Sequence, residues 1–369
     1  MPASSPERAR LPADVPLSGL LDLSRQGEVA LLPVHDQQPF NALIVTKSRE
    51  SCEQVAHEML DVETWPSRWS IKSVTVDERT ATSVRYRMQL DIALAPTIPG
   101  FIEHPSPDKV IFNDVQTGAK FIWTLGDVEG GCAMRYSLLE TPGKPSEFVA
   151  VMKALEGTIA DAGNFAAGLS SARGFAHPET SGATASASGL AAFAALAGHG
   201  TALRIWRQQK KFPVVIARRV IERPVDEVLW SVRDKKRYTD KIAVFKTVDD
   251  HGTNCHYKIG AFGGRVSFDT AVSESGDAHT DEGITLTEKV TGGDLKRGGW
   301  TWHVKPVAGG TDVEITFDLD ITEGSTVMST LASADPVAKE SMTIHMALAL
   351  MGDLIGGKPL GERTLARAP

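Results

Sequence analysis

The chain contains the stretch Val55-Ala56-His57-Glu58-Met59-Leu60-Asp61-Val62-Glu63-Thr64-Trp65-Pro66-Ser67-Arg68-Trp69, which leads into Ile71-Lys72-Ser73-Val74. In its first part the apolar residues recur at helical spacing, so the stretch predicts a short helix that ends near Asp61. Proline disfavours helix at the residue before it, so Trp65-Pro66 predicts a break. The alternating residues from Ile71 onwards predict a strand.

A second stretch with the same order of residue types lies about 170 residues further along the chain. It reads Val228-Leu229-Trp230-Ser231-Val232-Arg233-Asp234-Lys235-Lys236-Arg237-Tyr238, and it again ends in an acidic residue followed by an aromatic one. Ser18-Gly19-Leu20 and Ser188-Gly189-Leu190 precede the two stretches at a similar offset. Solenoid and propeller repeats have periods of only about 20 to 50 residues, so an offset this long predicts duplication of a whole domain.

The chain length agrees with two domains. Its 369 residues exceed the roughly 250 to 300 at which single hydrophobic cores stop growing. A hydrophobic content of 42% is that of an ordinary globular protein, so each half can bury a core. The predicted division is a disordered tail at 1–16, a first domain at 17–178, a linker at 179–187, a second domain at 188–357 and a C-terminal tail at 358–369.

Charge and hydropathy exclude several classes of partner. A net charge of −7 gives no broad attraction to nucleic acid or to an anionic membrane surface. The basic residues around Trp206 predict a solvated helix face rather than a binding patch. No apolar run reaches the 18 or so residues that a membrane span needs, which predicts no stable membrane insertion. That basic cluster comprises Arg204, Arg207, Lys210 and Lys211.

The three cysteines, Cys52, Cys132 and Cys255, are widely separated and form no CxxC pair. This usage predicts a reducing compartment, without disulfides and without a zinc framework. His251 and His256 flank a predicted turn and have no partner pair, so we predict no metal site. Together with the absence of a signal-peptide pattern, these observations predict a cytoplasmic protein.

Short strand patterns separated by turn residues follow the break in the first copy. Val84, Tyr86 and Met88 alternate with Arg85 and Arg87, so one face of this strand is apolar and the other basic. Such alternation is typical of an antiparallel sheet with one wet side. The predicted elements are strands at 41–48, 71–76, 81–92, 108–115, 119–128 and 132–141 and a long closing helix from Pro145 to about Ala172.

The second copy repeats this plan. Its closing helix is predicted at 335–355, with Pro336 in the first turn. Amphipathic stretches at 18–32 and 188–203 precede the two copies and predict short helices packed on the sheets; roles as lids or as transient membrane contacts stay open. The predicted strands are 214–222, 243–249, 253–261, 265–273, 283–290, 297–306 and 312–322, with a helix at 224–233. An antiparallel sheet with helices collected on one side is an α+β architecture.

The order of elements, together with the stretch at 55–69, resembles the helix-grip fold of the START/SRPBCC superfamily. Members often show a helix ending in Asp, then an aromatic residue, a proline and a tryptophan before the second strand. The counterpart at 228–238 lacks the proline and the second tryptophan. The resemblance covers nearly the whole chain and implies two α+β domains, each a curved antiparallel sheet wrapped round a long C-terminal helix.

The resemblance also implies an apolar pocket between sheet and closing helix in each domain. We expect its walls to come from apolar strand faces and from the inner face of the helix, because aromatic and methionine side chains give an adaptable apolar surface. The second copy, with the richer aromatic and methionine set, is the better candidate for ligand binding. The predicted ligand-binding residues are Tyr86, Met88, Trp123, Tyr136, Met152, Tyr257, Phe268, Trp300, Trp302, Met342, His345 and Met346.

Three functions remain open on this basis. The first is non-enzymatic binding or transfer of a hydrophobic small molecule such as a lipid, sterol, quinone or polyketide. The second is a polyketide aromatase/cyclase, and the third is an interaction module whose cavities are filled. A cyclase needs acid/base groups that converge on a carbonyl. Arg87 and Arg135 lie on the opposite face from Tyr86 and Tyr136, so we predict no catalytic residues and no cofactor, and we favour the binding function.

Overall fold

The computed structural model describes the chain in two compact units. They divide within one helix: described residues up to Ala192 belong to unit 1 and those from Phe193 onwards to unit 2. Of the predicted tails and linker, residues 1–10, 179–184 and 358–369 lie outside the described part. The residues described are 11–24, 28–32, 42–67, 71–90, 97–115, 120–139, 175, 185–206, 214–242, 245–261, 264–295, 297–319 and 336–357.

The described residues of unit 1 form an antiparallel sheet of eight strands, in the order β1-β2-β8-β7-β6-β5-β4-β3. A helix and a short 3-10 segment, Val62–Ser67, separate β2 from the meander β3 to β8. The elements are α1 (Leu17–Ser24), β1 (Glu28–Leu32), β2 (Ala42–Ser48), α2 (Cys52–Leu60), β3 (Ile71–Arg79), β4 (Ser83–Leu90), β5 (Thr97–Ser106), β6 (Lys109–Asp114), β7 (Lys120–Val128) and β8 (Gly131–Leu139).

Unit 2 repeats this order of elements, with the strand order β11-β12-β13-β14-β15-β16-β10-β9. The helix that carries the division, α3 (Ala187–Ala197), precedes it. The remaining elements are β9 (Thr201–Trp206), β10 (Val214–Ile221), α4 (Val225–Arg233), α5 (Lys236–Lys241), β11 (Phe245–Asp250), β12 (Asn254–Ala261), β13 (Gly264–Asp277), β14 (Gly283–Gly293), β15 (Gly298–Val307), β16 (Gly310–Leu319) and α6 (Pro336–Ala349).

The helices α2 and α4 follow the second strand of their units and bury one face each. In α2 the hydroxyl of Ser51 accepts a hydrogen bond from the backbone N–H of Gln54 at 3.2 Å, which caps the helix N-terminus. The buried side chains of α2 are Cys52, Val55, Ala56 and Met59. Those of α4 are Val228, Leu229, Ser231 and Val232. Asp61 and Asp234 end the two helices, as the sequence predicts.

The closing helix of unit 2 begins at Pro336, as predicted, and packs against β10 and β16. A π-helical turn at Leu350–Ile355 continues it and contacts α4, α5 and β10. The long helix predicted at 145–172 in unit 1 lies outside the described residues. Phe175, three residues beyond it, is described and is buried. Within the described ranges, none of the helices combines the length and the apolar composition that crossing a membrane requires.

The structure differs from the predicted segments in three respects. The helices predicted over 18–32 and 188–203 end early, and strands β1 and β9 follow them. Strand β5 was not predicted at all. Arg204, predicted on a solvated helix face, lies in β9 and is only 7% exposed.

Candidate functional site

A carboxylate lies in the interior of unit 2. Along β14 the buried side chains alternate as Ile284, Leu286, Glu288 and Val290, so Glu288 occupies a position of the apolar pattern. Its side chain is 2% exposed. We call the sheet face that carries these side chains the inner face of unit 2. A charged side chain in such a position is costly unless it is paired and hydrogen-bonded.

Both oxygens of Glu288 accept hydrogen bonds from buried donors. Oε1 pairs with the ammonium of Lys235 and accepts from Nε1 of Trp300 at 3.2 Å. Oε2 accepts from the hydroxyl of Tyr257 and, at 3.5 Å, from that of Thr270. We call these five residues the Glu288 cluster. Its members come from β12, β13, β14, β15 and the α4–α5 connection, so the tertiary fold assembles it.

Lys235 reaches the carboxylate because it lies between the end of α4 and the start of α5. Its ammonium also donates to the carbonyl of Val232 at 3.4 Å and lies 4.8 Å from the ring centroid of Tyr238. The hydroxyl of Tyr238 donates to the same carbonyl at 3.2 Å. The backbone turn after Asp234 therefore directs both Lys235 and Tyr238 into the interior.

Electrostatics favours an ammonium and protonated phenols in this cluster. Burial lowers the pKa of Lys235. The electrostatic attraction of Tyr238, once it is ionised, and of the Glu288 carboxylate outweighs burial, so the pKa of Lys235 lies above its ordinary value. Burial raises the pKa of Tyr238 to about 12, and it raises the pKa of Tyr257 well above the ordinary value. Near neutral pH, Lys235 is therefore charged and both tyrosines can donate.

Aromatic rings surround the cluster. Tyr257 stacks on Phe268 with ring centroids 5.3 Å apart and meets Trp300 edge-on at 5.4 Å. Trp300 in turn stacks on Phe317 at 5.8 Å, and Phe245 lies 5.7 Å from Tyr257. These rings exclude water from the polar atoms, which strengthens the hydrogen bonds to Glu288.

The predicted residues of unit 2 divide into three groups. Tyr257, Phe268 and Trp300 lie together around Glu288. Trp302 is fully buried on the same face of β15 as Trp300. His345 is buried and Met346 is half-buried in α6, whereas the side chain of Met342 lies outside the described part.

In unit 1 the predicted residues also lie on one sheet face. Trp123 and Tyr136 are buried neighbours on β7 and β8 with centroids 4.9 Å apart, and Met88 on β4 is half-buried. Tyr86 is buried and meets Trp65 edge-on at 5.2 Å. Met152 lies outside the described residues.

The register of the strands identifies the unit 1 counterparts of the charged pair. The β7–β8 and β15–β16 hairpins align Trp123 with Trp302 and Phe121 with Trp300. Glu288 lies opposite Trp300, so its counterpart is Phe112, which lies opposite Phe121. Lys235 follows the residue that ends α4, and Val62 follows the residue that ends α2. Val62 is fully buried, and Phe112 is half-buried and stacks on Trp65. Unit 1 thus has two apolar side chains where unit 2 has a buried ion pair.

A disulfide joins Cys52, at the start of α2, to Cys132 in β8. The prediction of a chain without disulfides is therefore wrong, and the cysteine-based reason for a reducing compartment is lost with it. The error arose because the two residues are separated by 80 positions, and spacing along the chain does not reveal contacts made through a sheet. Cys255 is a buried free thiol.

Sequence reasoning missed Glu288, Lys235 and Thr270. The sequence did contain a signal for Glu288: it lies two residues after Leu286 and four after Ile284 in an alternating strand, so the three side chains share one face of that strand. Lys235 belongs to a run of basic residues that reads as a solvated surface. Only the fold shows that one lysine of this run turns inward.

No protein-family model matches the chain, and no curated protein matches its sequence. Among solved structures it is similar to the di-domain ARO/CYC BexL from the BE-7585A biosynthetic pathway, at 13% identity, covering 89% of this chain and 99% of that one, with a TM-score of 0.28. It is also similar to a STAR-related lipid transfer protein from Xanthomonas axonopodis, at 12% identity over 42% of this chain and 91% of that one, with a TM-score of 0.32.

A START superfamily protein from Mycobacterium smegmatis shows a similar likeness, at 15% identity over 38% of this chain and 96% of that one, with a TM-score of 0.30. START proteins and di-domain ARO/CYC proteins are thus among the solved structures to which this chain is similar.

Proposed function

We propose that the protein binds a hydrophobic small molecule in unit 2 and that the Glu288 cluster holds a polar group of that molecule. The observation that carries the proposal is the buried Lys235–Glu288 pair within a wall of aromatic rings. Replacing a buried ion pair by apolar residues is often neutral or stabilising, so such a pair is weak evidence for a purely structural role. Unit 1 has the apolar residues Val62 and Phe112 at the equivalent positions.

The chemistry of the cluster supports a ligand that is apolar but carries a polar group. The rings of Tyr257, Phe268 and Trp300 offer apolar contact, whereas Lys235 and Tyr257 offer donors and Glu288 an acceptor. A planar or polycyclic molecule with a hydroxyl or carbonyl group matches this combination. A polyketide, quinone or sterol has these features, and transfer of such a molecule between partners is the form of the function that we favour.

Mass spectrometry of molecules extracted from the purified full chain tests the proposal. We expect a hydrophobic compound with the wild type and with Trp123→Phe, a conservative change in unit 1. We expect at least a tenfold lower yield from the double variant Lys235→Val with Glu288→Val, which is designed to keep the interior filled. Equal yields from all three proteins would place the ligand elsewhere, and no compound from any of them would contradict the binding function.

A second candidate function, aromatase/cyclase activity on a polyketide, draws on one specific observation. The hydroxyl of Tyr257 donates to Glu288 while Lys235 neutralises the same carboxylate, so the cluster contains groups that can hold and pass a proton. A reconstituted polyketide assay separates the two functions. Tyr257→Phe would abolish cyclised product with binding retained if the protein is a cyclase, whereas a pure binding protein would give no cyclised product in the wild type.

A further inference from the structure

A second polar cluster lies on the opposite face of the unit 2 sheet from Glu288. On β12 the buried Tyr257 is followed and preceded by outward side chains, and on β13 Phe268 is flanked by Ser267 and Asp269. His256 lies directly opposite Asp269 in the β12–β13 register. The outward face therefore brings a serine, a histidine and a carboxylate together.

These three side chains form a continuous hydrogen-bonded relay. Nε2 of His256 lies 3.0 Å from the hydroxyl of Ser267, and Nδ1 lies 2.7 Å from Oδ1 of Asp269. An ionised carboxylate can only accept, so Nδ1 carries the proton that binds Asp269. In neutral His256 the other nitrogen is then an acceptor, and the hydroxyl of Ser267 donates to it.

We propose that Ser267, His256 and Asp269 form a catalytic relay that hydrolyses carboxylic esters. The connectivity, with one imidazole nitrogen on the serine and the other on the carboxylate, is the one that activates a serine nucleophile. In this assignment Ser267 and His256 act on the substrate directly. Asp269 is a positioning residue that fixes the tautomer and orientation of His256.

The backbone holds the nucleophile in place. The N–H of Ser267 donates to Oδ2 of Asp294 at 2.7 Å, and the N–H of Asp294 donates to the carbonyl of Ser267 at the same distance. Lys258 lies directly opposite Ser267 in the register of β12 and β13. Cross-strand partners lie about 4.5 to 5.5 Å apart at Cβ, so the exposed ammonium of Lys258 can reach the oxygen of a carbonyl placed at Ser267.

The reaction proceeds in two balanced steps. Oγ of Ser267 forms a bond to the ester carbonyl carbon while its proton moves to Nε2 of His256, and the tetrahedral intermediate then loses the alcohol, which takes that proton. Water next attacks the acyl-serine with His256 as the base, releasing the carboxylic acid and restoring the hydroxyl. The half-exposed position of the three side chains admits an ester from solvent.

Labelling of the full chain with a fluorophosphonate, followed by peptide mass spectrometry, tests the relay. We expect the label at Ser267, and we expect Ser275→Ala to leave labelling unchanged, since Ser275 is exposed on the same strand without a histidine partner among the described contacts. General-base catalysis contributes about 10² to 10⁴-fold, so His256→Gln is expected to slow labelling at least 100-fold. Asp269→Asn is expected to slow it less.

Turnover of p-nitrophenyl acetate provides the second readout, with an acyl group detected on Ser267 by mass. Ser267→Ala is expected to abolish both signals with the native far-ultraviolet circular dichroism retained. Should that variant not fold, Asp269→Asn with the same two readouts replaces it. A label spread over several serines, or turnover that is unchanged in Ser267→Ala and His256→Gln, would overturn the proposal. Neither outcome bears on ligand binding at the Glu288 cluster.

Discussion

The two units share an order of elements but differ at one pair of buried positions. Unit 1 has the apolar residues Val62 and Phe112 there, and unit 2 has Lys235 and Glu288. Since unit 1 forms its sheet without a charged pair at these positions, the fold itself does not require one. The comparison shows that the charged pair is a feature of unit 2 and not of the fold. Unit 1 can therefore serve as the reference for variants of the pair in unit 2.

The units also differ in how α2 and α4 are attached to the sheet. In unit 1 a disulfide from Cys52 to Cys132 ties α2 to β8. In unit 2 the counterpart of Cys132 is Thr311 in β16, whose hydroxyl donates to the backbone carbonyl of Arg223, just before α4, at 2.6 Å. A covalent bond in one copy thus corresponds to a hydrogen bond in the other.

The largest expected effect is the loss of one partner of the charged pair. Glu288→Val leaves the ammonium of Lys235 buried without its carboxylate, and we expect the free energy of unfolding of unit 2 to fall by about 3–5 kcal/mol. The double variant with Lys235→Val removes both charges and leaves apolar side chains at both positions, as in unit 1, so the part of the loss that comes from the buried charge should be recovered. The remainder reflects the hydroxyl of Tyr257 and the indole N–H of Trp300, which then lack their acceptor, at about 1–3 kcal/mol for a buried donor.

Urea titration of protein labelled with 5-fluorotryptophan measures this effect for each unit in the intact chain. Fluorine NMR signals from Trp300 and Trp302 report on unit 2, and those from Trp65 and Trp123 report on unit 1. Adding Tyr257→Phe to the double variant should remove the part of the remaining loss that comes from the tyrosine hydroxyl, and the part from the indole N–H of Trp300 should stay. A double variant as unstable as Glu288→Val would show that the two side chains are not coupled and that the comparison with unit 1 fails.

The disulfide gives the next largest effect, this time in unit 1. A bond that closes a loop of this length stabilises a domain by about 2–4 kcal/mol, chiefly by restricting the unfolded chain. Replacing Cys52 and Cys132 by serine should therefore lower the urea midpoint of the unit 1 signals. The unit 2 signals should not move. In the wild type, reduction with dithiothreitol should reproduce the shift, and a midpoint insensitive to both treatments would contradict the disulfide.

The parts predicted from sequence are those in which local pattern and burial agree. The seven strands predicted for the second copy correspond to β10 to β16, because their alternation of apolar and polar residues is regular. Strand β5 was missed because Pro99, Gly100 and Pro105 read as breakers. Proline and glycine are tolerated there for a tertiary reason: Gly100 lies beneath the ring of Tyr86, which no local pattern can reveal.

The candidate site shows the same division. Tyr257, Phe268 and Trp300 were predicted, since aromatic residues on an apolar strand face are visible as a pattern. The charged partners were not, because Lys235 and Glu288 are 53 residues apart and each is recognised only through the other. A pairing of opposite charges across the interior depends on which strands become neighbours, and that depends on the whole topology.

A third prediction concerns the close approach of Tyr86 to Gly100. A Cβ at position 100 would lie 2.4 Å from Cζ of Tyr86, so Gly100→Ala forces the ring to move. Overpacking of this kind costs about 1–3 kcal/mol. The unit 1 fluorine signals, Trp65 above all, should report the loss, because Trp65 contacts the ring of Tyr86. Gly126→Ala, where a Cβ meets nothing within 4 Å, is the matched control and should leave the midpoint unchanged.

The smallest expected effect is a difference between the units at alkaline pH. Burial raises the pKa of Tyr136 in unit 1 and that of Tyr257 in unit 2, and it raises the pKa of Tyr238 to about 12. In Lys235 the charges of Tyr238 and Glu288 outweigh burial, so its pKa is raised as well. Each of these groups keeps in the folded state a proton that the unfolded chain releases above roughly pH 10.

For a group whose pKa is raised by folding, the stabilisation is complete below the unfolded pKa and is lost as the pH rises towards the folded pKa. Each fully buried tyrosine then lowers the free energy of unfolding by about 1.4 kcal/mol per pH unit. Tyr238, Tyr257 and Lys235 should together cost unit 2 about 1–2 kcal/mol more than Tyr136 costs unit 1 between pH 10 and 11, and the buried thiol of Cys255, whose pKa is raised to about 12, adds to this difference. Urea titrations at the two pH values measure the difference, Tyr257→Phe should reduce it, and equal losses in both units would show that the charged cluster does not distinguish them.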